Sequence, residues 1–124
     1  MDDLYQEHIL DHYKNPRNVG SISTSSKGEK LVHTHAANAG CGDSIEADVR
    51  VKDGIITEIK WRGTGCAISQ AAMSTFSEWM TGKSLVEGKS ANKKRILSLV
   101  GLSDITPARE KCLVLPLGLF LEVV

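Results

Sequence analysis

From Ser44 to Lys52 the chain alternates strictly, with Ile45, Ala47, Val49 and Val51 separated by Glu46, Asp48, Arg50 and Lys52. Successive side chains of a strand point to opposite faces, so this pattern predicts a strand with one buried face and one wet face. Asp53-Gly54 follows, a dipeptide favoured where both turn residues take positive φ, and beyond it Ile55, Thr57, Ile59 and Trp61 alternate with Glu58, Lys60 and Arg62. An antiparallel hairpin is therefore expected, with a shorter strand before it over Lys30 to Ala36. After Arg62-Gly63-Thr64-Gly65 the period changes from two to about 3.6. Ile68, Ala72, Phe76 and Trp79/Met80 then line one face of a long helix that ends at Gly82.

The remaining elements are marked by their ends. Asp2 or Asp3 caps a first helix with a loose apolar stripe of Leu4, Tyr5, Ile9 and Tyr13, and Asn15-Pro16 stops it. Asn18 to Lys30, rich in Ser and Gly, has no periodicity and reads as a mobile connection. Ser84 with Glu87 is a capping-box pattern for a short turn ending at Gly88. Asn92 to Val100 is a further helix stopped by Gly101, and Thr106-Pro107 reads as N-cap and first residue of a last helix carrying Cys112. A helix, three strands and then helices predict an α+β sandwich with the helices on one face of the sheet.

A chain of 124 residues, 41% hydrophobic and 24% charged, fits one domain with one core. Fifteen basic and fifteen acidic residues cancel, so no overall field favours nucleic acid or an anionic membrane, and neither is an expected partner. The balance is uneven, because the last third of the chain is basic and surrounds Cys112. The acidic Met1-Asp2-Asp3-Leu4 opening does not resemble a signal peptide, and no apolar run approaches the roughly 20 residues of a membrane span. A cytosolic, reducing location is the expectation, where three cysteines read as thiols or metal ligands and not as a disulfide framework.

Cys41-Gly42-Asp43 falls in the loop between the first two strands, where residues i and i+2 point the same way and both side chains can reach one ion. Cys66 opens the long helix, where unpaired N–H groups and the helix dipole favour a thiolate. Cys112 lies between basic neighbours, Arg109 and Lys111, which also favour the charged form. Taken singly, each cysteine is equally consistent with a small core residue. Taken together, three thiols and one carboxylate form a four-ligand set suited to tetrahedral zinc or to iron–sulfur ligation. The separations, twenty-five and then forty-six positions, do not match paired C-x-x-C sites and would require a site gathered from three segments. Gly63-Thr64-Gly65 lacks the rest of a phosphate-binding signature. His8 and His12 share a helix face, where surface or capping roles are the commoner use, and His33 and His35 share a strand face from which one could reach the Cys41 loop.

Several blocks occur in order: Leu4-Tyr5, His12-Tyr13, Asn15-Pro16-Arg17-Asn18, Asn38, Cys41-Gly42-Asp43, Gly63, Gly65-Cys66-Ala67-Ile68-Ser69, Glu78-Trp79, Gly82-Lys83-Ser84-Leu85 and Arg109-Glu110-Lys111-Cys112. Together they resemble the NifU-like iron–sulfur scaffold family, with its IscU and SufU branches, over nearly the whole chain. The resemblance implies one domain over residues 1–124, built as a three-stranded antiparallel sheet packed with helices. It implies that Cys41, Asp43, Cys66 and Cys112 hold zinc, iron or a transient [2Fe–2S] cluster. It also implies that a cysteine desulfurase supplies sulfur as persulfide, with Cys41 and Cys112 as candidate acceptors, and that apo iron–sulfur proteins receive the cluster.

The chain departs from both branches. Lys111 stands where the IscU branch often has histidine, as in SufU, yet the Cys66 to Cys112 interval is too short for the SufU insertion. The Leu-Pro-Pro-Val-Lys segment that engages an Hsp70-type chaperone is replaced by Asp104-Ile105-Thr106-Pro107-Ala108-Arg109, so dependence on that chaperone is not expected. Asn38-Ala39 replaces Asn-Pro, which leaves the cysteine loop more flexible. The readings that follow are a cluster scaffold, a zinc-dependent sulfurtransferase relaying persulfide, and a zinc-stabilised interaction domain.

Overall fold

The structure is a computed structural model that describes residues 3–38, 42–101, 105 and 107–121. Its order is α1 (Asp3–Lys14), β1 (Glu29–Asn38), β2 (Asp43–Lys52), β3 (Ile55–Thr64), α2 (Ala67–Met80), α3 (Leu85–Ser90), α4 (Lys93–Val100) and α5 (Pro107–Leu121). The strands form one antiparallel sheet in the order β1-β2-β3. Cys41, together with Asp2 and Thr106 as expected caps, lies outside the described residues; Asp3 is already the first helical residue.

The β2–β3 hairpin turns on Asp53 and Gly54, with φ of 53° and 77°, the double positive value that its dipeptide favours. Ile45, Ala47, Val49 and Val51 are buried as their alternation requires. On β3 the expected phase fails near the turn. Arg50 pairs with Glu58 but Val51 pairs with Ile56, so Thr57 is the extra residue of a β-bulge. The bulge moves Ile56 into the core and leaves Ile55 40% exposed.

Helices cover one face of the sheet. Phe76, Met73 and Met80 of α2, Ile96 and Val100 of α4, and Leu113 and Leu119 of α5 form one core with β2 and β3. A Cβ at Gly118 would lie 3.5 Å from Ala36 Cβ, so α5 seats closely on β1. The Thr34 hydroxyl donates to the Leu119 carbonyl at 2.8 Å and ties the two together. The Ser84 hydroxyl accepts from Glu87 N–H, Asn92 caps α4, and Gly101 ends it at φ 81°. α3 runs on past Gly88 to Ser90, beyond the single turn expected.

The other face of the sheet is not simply wet. Asp48 is 5% exposed and accepts from Ile22 N–H at 2.9 Å and from Arg62 at 3.0 Å, with the His33 ring 2.8 Å away. The connection after α1 is accordingly anchored and not loose. Trp61 N–H donates to Asn18 O and Gly20 N–H donates to Trp61 O, both at 2.9 Å, and the Trp61 indole donates to Arg17 O at 2.7 Å. Among the described residues no helix is long and apolar enough to cross a membrane.

Candidate metal centre

Asp43, Cys66 and Cys112 each place one donor atom within 4.8 Å of the others. Three distant segments supply them, and each does so for a local reason. Asp43 is the first residue of β2 and shares the core-facing side of the strand with Ile45, which leaves it 5% exposed. Gly42, at φ 75°, turns the chain into that strand, and its N–H donates to Asn38 O at 2.9 Å. Cys66 is the N-cap of α2, in extended conformation. Cys112 lies in the second turn of α5 and is 5% exposed.

The glycines before Cys66 serve approach and not phosphate binding. A Cβ at Gly63 would collide with the Ser44 carbonyl oxygen and lie 2.8 Å from Ile45 Cα. A Cβ at Gly65 would collide with the Ser69 hydroxyl and lie 3.2 Å from the Asp43 carboxylate. Only glycine lets the β3–α2 turn press Cys66 against Asp43. Ser69 Oγ donates to Cys66 O at 3.0 Å and Gln70 Nε2 donates to Gly65 O at 3.0 Å, which holds the turn in place.

Burial pushes the Cys66 thiol up, but hydrogen bonds from Ser69 N–H, the Cys112 side chain, the Ser69 hydroxyl and Ile68 N–H outweigh it and hold the thiol below its ordinary value. The two N–H donors belong to the unpaired first turn of α2. Among the described residues, Asp43 Oδ2 is buried with no hydrogen-bond partner. A buried, unpartnered carboxylate oxygen beside two thiols is costly by itself and is the arrangement a cation would compensate. A tetrahedral zinc with Zn–S near 2.3 Å places its donors about 3.8 Å apart, so the three atoms need close only slightly around one ion. The donor set fits such an ion.

The histidines fall elsewhere. His33 lies against Asp48 and Glu46, and His35 Nε2 is 3.0 Å from Ser44 Oγ, both on the sheet face opposite the Asp43 side chain. His12 is not at the surface: it is 4% exposed, with Nδ1 2.7 Å from Ser74 Oγ. His8 lies against it, the ring centroids 4.6 Å apart and the planes tilted by 43°, and its Nε2 is 3.3 Å from Thr75 Oγ1. Ser69 and Gln70 are the neighbours of the cluster that residue-type reasoning missed. A hydroxyl three residues after a helix-opening cysteine was their one visible signal.

The fold and this cluster define a small α+β domain with thiols and a carboxylate gathered at one end of a three-stranded sheet. The chain belongs to the family described as the NifU-like N terminal domain, whose model matches residues 4–119. It is 35% identical over 114 residues to the iron–sulfur cluster assembly scaffold protein IscU of Haemophilus influenzae, covering 90% of this chain and 85% of that one. A solved structure from Fervidobacterium islandicum AW-1, named as a candidate iron–sulfur cluster assembly scaffold protein for the SUF system, is 26% identical with a TM-score of 0.71, over 94% of this chain and 93% of that one. The N-terminal part of a NifU-like protein from Brucella abortus shares the fold at a TM-score of 0.75 and 16% identity, over 95% and 90%.

Proposed function

We propose that this protein is a cytosolic iron–sulfur cluster assembly scaffold that takes sulfur from a cysteine desulfurase, binds iron or zinc, and assembles and hands on a labile [2Fe–2S] cluster. The observation that carries the proposal is the convergence of Asp43, Cys66 and Cys112 around a buried, unpartnered carboxylate oxygen in a chain that matches an IscU scaffold over nine-tenths of its length. Cys41, two residues before Asp43 in sequence, completes the ligand set in this reading.

Thiolates hold soft metal ions and accept sulfane sulfur. The thiolate of Cys41 or Cys112 attacks the terminal sulfur of the desulfurase persulfide; a new S–S bond forms, the old one breaks, and the desulfurase leaves as a cysteine thiolate. Asp43 supplies a hard oxygen among soft sulfurs, a weaker ligand for the cluster and so the point at which it is released. Ser69 and Gln70 keep the Cys66 turn in place while the cargo changes.

Anaerobic incubation with ferrous iron, cysteine and a cysteine desulfurase tests the reading. A [2Fe–2S] absorption spectrum that passes to an apo-ferredoxin is the expected outcome. Retained zinc with faster desulfurase turnover and no chromophore would replace the scaffold by a sulfurtransferase, for which the exposed Lys111 beside Cys112 leaves room. Simple unfolding on zinc removal, with neither activity, would leave only a structural zinc.

A further inference from the structure

The far end of α2 carries a second feature that the thiol site does not use. Lys83 Nζ and Arg95 Cζ stand 5.3 Å and 5.2 Å from the centre of the Trp79 ring, and Phe76 stacks on the same ring at 5.8 Å. Beside them, two hollows of about 200 Å³ and 310 Å³ share Asn92 and Arg95 in their walls. Among the described residues Lys83, Lys94 and Arg95 form no ion pair, whereas Lys93 is paired with Glu110 at 3.0 Å. Glu87 is the acidic group in the wall, and its carboxylate faces the Ser84 hydroxyl. In a chain whose charges cancel overall, this is a local excess of positive charge.

We propose that this groove docks an acidic protein segment whose carboxylates meet Lys83, Lys94 and Arg95 and whose apolar side chain covers Val86. Val86 is 77% exposed and lies one helical turn before Ser90, which lines the smaller hollow, so an apolar contact stands at the rim of the charged one. The Trp79 ring already carries two cations and packs against Phe76. Its role is to hold the cations, which then present donors to a carboxylate with less ordering to do on binding. Trp79 lies thirteen residues beyond Cys66 along α2, about 20 Å at 1.5 Å per residue. A partner seated here leaves the thiol end of the molecule uncovered.

The probe is a short synthetic peptide repeating Glu-Glu-Leu, titrated into the isotope-labelled full chain. The Trp79 indole resonance and the α3 and α4 amides are expected to shift, while the indole of Trp61, 2% exposed, stays in place. Raising the salt should weaken binding, and Lys94→Glu with Arg95→Glu should weaken it at least tenfold. Lys94→Glu alone, at an exposed side chain, should cost about threefold and serves if the double variant unfolds. The proposal is overturned if the peptide shifts no resonance in α3 or α4, or if binding survives the charge reversals. It is equally overturned if inorganic polyphosphate or a single-stranded oligonucleotide binds these residues as tightly as the peptide.

Discussion

Asp43 presents an imbalance that one substitution can measure. Among the described residues its buried oxygen lacks a partner, and such a group costs about 1–3 kcal/mol. Asp43→Ala is therefore expected to raise the thermal midpoint of the metal-free chain by a few degrees while weakening zinc binding, read by calorimetry with and without zinc. If Asp43 is the point of release, the cluster on Asp43→Ala should also pass to an apo-ferredoxin several times more slowly. Gly65 offers the complementary case. Its added methyl meets Ser69 and the Asp43 carboxylate, so Gly65→Ala should part Asp43 from Cys66 and lower zinc affinity at least tenfold. Far-UV circular dichroism should stay close to that of the parent, because the clash is confined to the turn.

Helices and strands hold one another through a few buried polar contacts whose strength is predictable. Thr34→Val keeps the shape of the side chain but removes the donor to Leu119 O; a buried carbonyl left without its partner should cost about 1–3 kcal/mol in urea unfolding. α1 is held to α2 through His12 and Ser74. Burial first, and then the charges of Arg17 and His8, lower the pKa of His12, against smaller opposite effects of Glu78 and Asp11. A histidine whose folded pKa is depressed contributes its full stability above its unfolded value, about 6.5, and loses it as pH falls through the folded value. The urea midpoint should fall as the pH is lowered below about 6.5, and fall less in His12→Gln. These contacts also explain what the sequence did and did not disclose. The β2–β3 hairpin was legible because Ile45 to Val51 alternate and Asp53-Gly54 admits only a narrow set of turns. The bulge at Thr57 was not, because an extra residue leaves no mark when Ile55 and Ile56 are both apolar. The anchoring of residues 18–22 was hidden for another reason: its bonds run through the backbone of Trp61 and the Asp48 carboxylate, and alternation had marked Asp48 as exposed.

The whole molecule is closed at its thiol end by segments far apart in the chain, the start of β2, the N-terminus of α2 and the second turn of α5. Residue types alone could not bring these together, since each cysteine was as well explained as a core residue; the ordered blocks around them carried that part of the reading. Their distance in sequence has an energetic consequence. No preformed site survives unfolding, so a metal ion held by Asp43, Cys66 and Cys112 binds the folded chain and scarcely the unfolded one, and its binding energy becomes folding energy. At free zinc a hundredfold above the dissociation constant, mass action adds about 2.7 kcal/mol, which for a domain of this size corresponds to roughly 10 °C in thermal midpoint. A calorimetric series in zinc should show that rise, a chelator should reverse it, and Cys66→Ser should flatten the dependence by removing one of the site's thiols. A midpoint that ignored zinc in the parent chain would show that the three donors do not act as one site.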